Sequence, residues 1–392
     1  MSRQRIKILF VVGGGRFFGA ALPLGGAASY LRAAALSLPP ERFEAVFVFL
    51  FHGPTVLEFS KLGFECRVVE GFFRGDPTLP LRLARIMKDE DPDAVVTAVS
   101  NANLYGRIAA KLAGVGALFT IVMDFMDGIM GTRRAAPLLE TLALRQEKLL
   151  WPMNTALVAV SNPLREKIID EWGVPAERVI VIPGVVAADE VAVDPVDIAA
   201  LRRELGVGAG QILAGTICRI TLVKNLAMLL RAARRVEKDA PGLVKFVVAG
   251  DGPLRQDLEA ESRRMGLEKV VRFVGWCEKG RTFAAAADLH LLTSFSEAQG
   301  ISLLEAMAAS RTVVATAVGG VKEVVADGET GFLVDPDDDE AMARSIVELA
   351  RNPDLAAQMG AAGRARLESR FSPARARQGF EALTDLVHSK HG

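Results

Sequence analysis

The chain has 392 residues, which exceeds the size at which a single hydrophobic core usually stops growing, so two domains are expected. Half of the residues are apolar and 24% are charged, a balance that excludes a disordered chain. Lysine plus arginine equals aspartate plus glutamate at 47 each, so no basic field attracts nucleic acid and no nucleic-acid partner is expected.

The cysteines and histidines indicate neither a metal site nor a disulfide framework. Cys66, Cys218 and Cys277 lie far apart, and the four histidines are scattered. We interpret the thiols as small core residues of a protein in the reducing cytoplasm. Arg16 interrupts the first apolar segment before it reaches the length of a signal-peptide core, and no segment is long enough to cross a bilayer.

The first half of the chain alternates short β-branched or aromatic runs with helix-length amphipathic stretches. This rhythm predicts a parallel sheet covered by helices on both faces. Glycines follow the first predicted strand, and Gly25 and Gly26 precede a helix predicted at 27–36, where they allow close approach of the backbone to a phosphate or a sugar. The predicted strands are 6–12, 44–51, 65–69, 94–99, 118–123, 156–160 and 179–182.

Pro183 and Gly184 break the last of these strands, and the stretch after them has no clear period, so a domain boundary is predicted there. A second series of the same kind follows, with strands predicted near 212–217, 245–249, 271–274, 289–292, 312–316 and 332–334. Its helices are predicted to start near Asn225, Leu254, Thr282, Ser302 and Gly320. The fold class is therefore α/β, with two doubly wound Rossmann-like domains facing across a cleft. The predicted domains are 1–186, 187–370 and a C-terminal helix in 371–392 that packs back across them.

Two cations follow the first strand of the second series. Arg219 comes directly after the predicted strand end, and Lys224 stands immediately before a helix rich in leucine and alanine. Backbone amides at a helix start favour anions, and the two side chains add charge-assisted hydrogen bonds, so this arrangement suits a diphosphate. The same two residues also fit a second interpretation, as exposed charges flanking a loop.

Two acids follow the strand predicted at 289–292. Glu297 lies in a serine-rich loop, while Glu305 lies in a helix that is otherwise almost entirely apolar. An unpaired buried carboxylate costs several kcal/mol, so Glu305 is expected to have a partner, which is either a ribose hydroxyl or a neighbouring arginine. A buried ion pair or an exposed helix edge is the alternative at this position, and a surface turn is the alternative at Glu297.

Other glycine and aspartate clusters fit structural roles. The segments 250–253 and 319–320 predict strand-to-helix turns. The acids at 337–339, together with Asp89 and Asp91, lie at helix termini in hydrophilic segments, where they cap or solvate helices. We therefore predict no metal and no other bound cofactor.

Taken together, these spacings resemble those of a known enzyme family. The pattern joins Arg219 with Lys224, Glu297 with Glu305, and a segment that runs from Gly319 and Gly320 to Val334. It is similar to that of the retaining glycosyltransferases of family four (glycosyltransferase group 1), which have the GT-B fold, and the likeness spans most of residues 156–334.

The resemblance implies specific roles for the matching residues. Arg219 and Lys224 hold the diphosphate of a nucleotide-sugar donor, UDP- or GDP-linked, while Glu305 binds its ribose and Glu297 contacts the transferred sugar. Glu297, Arg219 and Lys224 form the implied catalytic set. Implied binding residues further comprise Gly25, Gly26, Gly300, Ile301 and Ser302, with Asp124, Gly252, Val274 and Trp276 as additional candidates.

The reaction implied by the resemblance is transfer of a sugar, with retention of configuration and without a metal, to an acceptor hydroxyl. A glycan, a lipid-linked glycan or a small molecule is the implied acceptor. The chain departs from the family pattern in four places: Met123 and Asp124 replace a usual histidine, Cys218 replaces a glycine, residues 183–186 replace an Asn-Gly-Val-Asp motif, and Ala298 with Gln299 replaces Gly-Phe.

Two other functions compete with this interpretation. Gly13, Gly15 and Gly19 follow a strand, as in dinucleotide-dependent oxidoreductases, but residues 49–52 lack the acid that would hold a ribose. A non-catalytic sugar-binding or lipid-binding protein on the same scaffold is the second alternative. Loops that combine aromatic and basic residues also suggest peripheral contact with a membrane surface at its cytoplasmic face. These loop residues are Arg16, Phe17, Phe18, Phe72, Phe73, Arg74, Arg133 and Arg134.

Overall fold

A computed structural model describes residues 5–14, 16–17, 20–21, 25–71, 76–125, 136–187 and 193–388. The described chain divides into two compact units. The first contains the described residues within 5–125, 142–185 and 373–388, and the second contains 136–141 and those within 186–372. The basic and aromatic loop residues Phe18, Phe72, Phe73, Arg74, Arg133 and Arg134, and the glycines Gly15 and Gly19, lie outside the described residues.

The strands are, in chain order, β1 Ile6–Val12, β2 Arg16–Phe17, β3 Ala20–Ala21, β4 Phe43–Phe49, β5 Glu65–Val68, β6 Ala94–Ala98, β7 Leu118–Val122, β8 Ala156–Ala159, β9 Val179–Val181, β10 Ile212–Ile217, β11 Val244–Ala249, β12 Val271–Gly275, β13 Leu289–Leu292, β14 Thr312–Thr316 and β15 Gly331–Val334. The helices are α1 Gly26–Ser37, α2 Pro54–Lys61, α3 Leu79–Glu90, α4 Ser100–Ala113, α5 Ala136–Leu150, α6 Asn162–Trp172, α7 Pro195–Glu204, α8 Leu226–Asp239, α9 Arg255–Arg264, α10 Gly280–Ala286, α11 Ile301–Ala308, α12 Val321–Val324, α13 Asp339–Arg351, α14 Pro353–Arg370 and α15 Pro373–His388. Short 3-10 turns lie at Trp151–Met153, Ala176–Arg178 and Leu222–Lys224.

The first unit is built on a parallel sheet whose described strands follow the order β5-β4-β1-β6-β7-β8-β9. β1 and β4 are runs of apolar residues without alternation, and the side chains of Leu9, Phe10 and Phe47 are fully buried. Such continuous apolar runs are expected when helices cover both faces of a parallel sheet. The chain order reverses direction between β1 and β6, so the doubly wound topology has its switch point there.

The C-terminal helix α15 belongs to the first unit, where it packs against α1. Arg42 forms an ion pair of 2.7 Å with Glu381 of this helix, and Phe380 is fully buried. The hydroxyl of Tyr30, also in α1, donates a hydrogen bond of 3.0 Å to the carbonyl of Ile182. The end of the chain therefore completes the hydrophobic core of the unit that the start of the chain forms.

The second unit has a parallel sheet with the described order β12-β11-β10-β13-β14-β15. Residues of β14 alternate between two cores. Val314 packs with α8 and α13, while Val313 and Ala315 pack with α11. Both faces of this sheet are therefore covered, and its switch point lies between β10 and β13.

These sheets confirm the predicted α/β class with two doubly wound Rossmann-like units. The antiparallel pairing of β2 with β3 was not predicted, because two residues per strand are too few to show a period. No helix in the described ranges combines the length and apolar character needed to cross a bilayer.

Candidate donor site

The candidate site lies at the carboxyl edge of the second sheet, where β10 and β13 are neighbours. These strands run parallel, so the segments that follow them emerge at the same edge. Arg219 and Lys224 belong to the segment after β10, while Glu297 and Glu305 belong to the segment after β13. In doubly wound sheets, ligands bind outside the carboxyl ends of the strands at the switch point.

Lys224 and Glu297 are in direct contact. The Nζ atom of Lys224 lies 2.5 Å from Oε2 of Glu297, and the two side chains are only 24% and 17% exposed. A partly desolvated pair of this kind is held more strongly than a surface ion pair. The structure therefore brings a predicted cation and a predicted acid, 73 residues apart in sequence, into one cluster.

The loop that carries the two cations is held by its own backbone and by its neighbours. Lys224 ends a 3-10 turn, and Asn225 takes a left-handed conformation with φ 45° before α8 begins. The amide of Phe295 donates a hydrogen bond of 2.8 Å to the carbonyl of Val223, which ties this loop to the loop after β13. Arg219, at the start of the loop, is exposed.

Three buried hydroxyl groups around the pair were not predicted. Ser294 donates a hydrogen bond of 3.1 Å to Oε2 of Glu297, and Thr293 donates one of 2.7 Å to the carbonyl of Lys224. Thr316 donates in turn to the carbonyl of Ser294. The sequence signal that would have identified them is their position, since small polar residues at the end of β14 and directly after β13 lie at the carboxyl edge.

Helix α11 supplies the second acid and an amide-rich terminus. Gly300 precedes it with φ 90°, a conformation that favours glycine. The amides of Ile301 and Ser302 lie in its first turn, where helical amides lack partners within the helix. Glu305 is half-buried among side chains that anchor the helix in the core, namely Leu303, Leu304, Ala306 and Met307.

The glycine pair at 319–320 has a role beyond the predicted turn. The amide of Gly320 donates a hydrogen bond of 3.0 Å to the main-chain carbonyl of Glu297, and Gly319 has φ 44°. The turn after β14 therefore fixes the backbone of the loop that presents Glu297. Ala298 and Gln299, two of the departures from the family pattern, are both buried in this loop.

Cys218, another departure, lies half-buried between β10 and Arg219. Burial raises the pKa of its thiol to about 11, although the nearby Lys224 ammonium acts in the opposite direction. The thiol is therefore protonated at neutral pH, so Cys218 adds no negative charge near Lys224 and Glu297.

The additional candidates of the second unit lie further along the same edge. A Cβ atom at Gly252 would lie 2.3 Å from the carbonyl oxygen of Ile220, so close backbone packing alone requires glycine there. Val274 is half-buried near the end of β12, and Trp276, just beyond it, is 49% exposed. Gly252 follows β11, Val274 lies in β12 and Trp276 follows it, whereas the charged cluster follows β10 and β13.

An ion-pair network supports the loop of Lys224 from the side of α13. Asn225 donates a hydrogen bond of 3.3 Å to Asp337, and Arg231 contacts Asp337 and Asp339. Asp338 caps α13 by accepting a hydrogen bond of 2.8 Å from the amide of Ala341. Asp338 is therefore the predicted helix cap. Asp337 and Asp339 form ion pairs with arginines of α8 and are not merely solvated.

The predicted residues of the first unit lie on its own carboxyl edge. Gly25 has φ 53° and precedes α1, and it is exposed, as is Gly26. Asp124 is exposed two residues after β7. These three residues belong to the first unit, whereas Lys224 and Glu297 belong to the second.

Sequence reasoning missed a backbone clamp at the switch point of the first unit. The side chain of Asn101 accepts a hydrogen bond of 3.1 Å from the amide of Gly14 and donates one of 2.7 Å to its carbonyl. A Cβ atom at Gly13 would lie 2.1 Å from this side chain, so the glycine is sterically required. Val99 beside it has φ 75°, which strains a β-branched residue.

No group of three or more potential metal ligands occurs within the described ranges. Taken with the two sheets, the charged cluster at a switch point defines an α/β protein of two Rossmann-like units with a candidate ligand site in the second. Residues 197–366 match the family profile of glycosyl transferases group 1, and residues 25–184 match that of a glycosyl transferase 4-like domain. The chain belongs to the group 1 glycosyltransferases of the GT-B fold.

Curated relatives support this family assignment. The putative glycosyltransferase EpsD of Bacillus subtilis is 32% identical over 194 residues, which cover 50% of each chain. Alpha-maltose-1-phosphate synthase of Mycolicibacterium smegmatis is 34% identical over 231 residues, which cover 55% of this chain and 59% of the relative. The chain thus spans about half the length of the curated relatives it matches.

Solved structures agree over almost the whole chain. Anabaena HepE, crystallised in complex with UDP and glucose, has a TM-score of 0.82 at 22% identity and covers 97% of this chain and 100% of its own. Sucrose-phosphate synthase from Thermosynechococcus elongatus has a TM-score of 0.76 at 18% identity and covers 98% of this chain and 100% of its own. At these identities the likeness establishes the shared fold.

Proposed function

We propose that this chain is a retaining glycosyltransferase that moves a sugar from a nucleoside-diphosphate sugar, UDP- or GDP-linked, to an acceptor hydroxyl. The observation that carries the proposal is the contact between Lys224 and Glu297 at the switch point between β10 and β13. A cation and an acid in one partly buried cluster match the two charges that separate when the bond from sugar to diphosphate breaks. The crystallised complex of Anabaena HepE with UDP and glucose supports the same donor class.

Each charged residue has a role in this chemistry. Breaking the anomeric bond leaves negative charge on the diphosphate, which Arg219 and Lys224 would stabilise, and positive charge on the sugar, which Glu297 would orient. The acceptor hydroxyl would attack from the face that the diphosphate leaves, and a phosphate oxygen would take its proton. Glu305 would hold the ribose. No metal or other cofactor has a part in these steps.

Donor binding tests the proposal first. Thermal unfolding would be followed with UDP, GDP, ADP and their common sugar conjugates, because a ligand at about a hundred times its dissociation constant stabilises a protein by roughly 2.7 kcal/mol. We expect one nucleotide class to stabilise the chain. Lys224→Ala and Arg219→Ala should each remove about 1.5 to 3 kcal/mol of that binding. Lys238→Ala, which changes an exposed lysine at the far end of α8, is the matched control.

Measurements of turnover and of product stereochemistry test the proposed transfer reaction. The anomeric configuration of the product, read from proton coupling constants, is expected to equal that of the donor, and an inverted product would contradict retention. Activity should persist in a chelating buffer. Binding of a nucleotide sugar without turnover on glycan, lipid-linked or small-molecule acceptors would instead favour a non-catalytic binding protein.

We also propose that the protein acts in the cytoplasm and touches a membrane surface there. The support is the aromatic and basic residues of the loops of the first half, which would contact anionic headgroups. Flotation with liposomes that contain anionic lipid should carry the protein upward. Protein that stays at the bottom of the gradient at low salt would contradict membrane contact.

A further inference from the structure

A basic cavity lies in the first unit, at the edge of its sheet opposite to the one that carries Gly25 and Asp124. Its volume is about 360 Å³, and it opens beside the amino ends of β7 and β8. Arg107, Lys111 and Arg178 contribute to its lining, and none of its described lining residues is acidic. A concave site lined by three cations, with no acid among its described lining residues, is suited to an anion.

Arg107 is the buried cation of this cavity. Its side chain is 0% exposed, and its Nη1 atom lies 2.6 Å from the carboxylate of Glu147, itself buried. Nε donates a hydrogen bond of 3.3 Å to Thr120, whereas Nη2 has no hydrogen-bond partner among the described residues. A buried donor without a partner is costly, so an acceptor that reached Nη2 would stabilise this arrangement.

The other two cations are not neutralised. Glu147 balances Arg107, but neither Lys111 nor Arg178 forms an ion pair with a described acid, which leaves two positive charges at the cavity. Arg178 is held in place because it donates hydrogen bonds to the carbonyls of Asn154 and Thr155. A guanidinium fixed in this way loses little freedom when it binds a ligand.

We propose that this cavity binds a doubly charged phosphate group, as inorganic phosphate or as the phosphate of a small monoester. The two uncompensated charges match a dianion, and the volume admits a phosphate with a small organic group attached. The site lies in the first unit at amino ends of strands, whereas the proposed donor site follows carboxyl ends of strands in the second, so the two proposals are independent.

Fluorine NMR of the full chain labelled with 5-fluorotryptophan provides a local readout. The three tryptophans are Trp151, Trp172 and Trp276, and the ring of Trp151 lies 5.9 Å from the guanidinium of Arg178. Inorganic phosphate would be titrated at pH 8 against sodium chloride of equal ionic strength, and Trp151→Phe would assign the resonance. We expect the Trp151 signal to shift with phosphate in a saturable manner and not with chloride.

Variants test whether the cations cause this shift. Lys111→Gln changes an exposed side chain and should weaken phosphate binding roughly tenfold, since a charged hydrogen bond contributes about 1.4 kcal/mol or more. Arg178→Gln should weaken it further, while Lys61→Gln, an exposed lysine of the same unit, is the control and should have no effect. Lys224→Ala should leave the Trp151 response intact, which separates this site from the donor site.

The source of the phosphate is resolved by a second titration with glycerol 3-phosphate. Tighter binding than that of inorganic phosphate would identify a monoester as the ligand, and weaker binding would identify free phosphate. The proposal is overturned if the Trp151 resonance does not move, if chloride moves it equally, or if Lys111→Gln and Arg178→Gln both bind phosphate as the unmodified chain does.

Discussion

Glu297 has two partners that compete for its charge, because its carboxylate accepts hydrogen bonds from both Lys224 and Ser294. In the proposed reaction a diphosphate would replace Glu297 as the counter-ion of Lys224. Glu297→Gln would remove the internal competitor, so the affinity for the nucleoside diphosphate should stay the same or increase. Turnover should fall by roughly a hundredfold or more, because the transition state loses a charged partner.

Calorimetry of nucleotide binding and initial rates on the same protein samples would check this split. Glu268→Gln changes an exposed glutamate of the same unit and serves as the control. If Glu297→Gln lowered affinity and turnover by the same factor, Glu297 would be a structural partner of Lys224, without a contact to the transferred sugar.

Gly250 is a residue whose identity is dictated by packing. It has φ 132°, and a Cβ atom there would lie 1.8 Å from the carbonyl oxygen of Cys218. Gly250→Ala should therefore lower the free energy of unfolding by roughly 2 to 4 kcal/mol. Gly266→Ala is the matched control, since Gly266 also has positive φ but no atom within 4 Å of the added carbon, and it should cost about 1 kcal/mol.

Urea unfolding of the two glycine variants would measure these costs. A loss at Gly250 no larger than that at Gly266 would show that the loop after β10 can move away from the added methyl group. Because that loop carries Arg219, such movement would also be expected to change nucleotide affinity.

At the level of elements, the sequence predicts the sheets because each strand is a short apolar run bounded by a turn. The bounds predicted for β1, β10, β13 and β14 match those observed. Each of the other predicted strands differs by one or two residues at one end or at both, as for β4, which is observed at Phe43–Phe49 and predicted at 44–51. Those ends depend on hydrogen bonds to the next strand, which the sequence of one strand does not contain.

Contacts between distant elements could not be predicted from local pattern. The sequence predicts Lys224 and Glu297 as site residues separately, but their ion pair depends on β10 and β13 being neighbours in the sheet. Likewise, Arg107 lies in α4 and Glu147 lies in α5, and only the packing of these two helices makes them a buried pair. The sequence predicts which residues carry charge, whereas the strand order determines which of them meet.

Helices α8 and α13 are joined by an ion-pair network that makes their association sensitive to acid. Burial acts to raise the pKa of Asp339, but hydrogen bonds from Arg231 and Arg235 hold this pKa below its ordinary value of 3.8. A carboxylate with a depressed folded-state pKa stabilises the fold above its unfolded-state pKa, and this contribution is lost as the pH falls through the folded-state value. The loss is therefore expected below about pH 4.

Asp339→Asn should lower the free energy of unfolding at pH 7 by about 1 kcal/mol, a modest value because both arginines are partly exposed. It should also lose less stability than the unmodified chain between pH 4 and pH 2. Chemical denaturation across this range would measure both effects. Asp170→Asn, at an exposed position of α6, is expected to leave the acid profile unchanged.

For the molecule as a whole, the two units show how a group 1 glycosyltransferase places polar groups at strand ends while its strand centres are apolar. His290 departs from this pattern, since it lies within β13 between Leu289 and Leu291 and is fully buried. Neither of its ring nitrogens has a hydrogen-bond partner among the described residues. Burial lowers the pKa of His290 from 6.5 to about 4.

This buried histidine gives the second unit a dependence on mildly acidic pH that is separate from that of Asp339. Between pH 6.5 and about 4 the unfolded chain binds a proton at His290 that the folded chain does not bind, so the free energy of unfolding falls as the pH falls. The total change is expected to reach about 3 kcal/mol and then to level off, because both states are protonated below pH 4.

His290→Leu should flatten the profile in this window and cost little at pH 7, since it also removes two buried polar atoms without partners. Urea unfolding at half-unit pH steps would measure the profile, with His52→Gln, an exposed histidine, as the control. If His290→Leu and the unmodified chain lost stability in parallel from pH 6.5 to pH 4, the acid sensitivity would come from other groups. The buried imidazole would then be protonated in the folded state as well, or would be hydrated by water that enters the core.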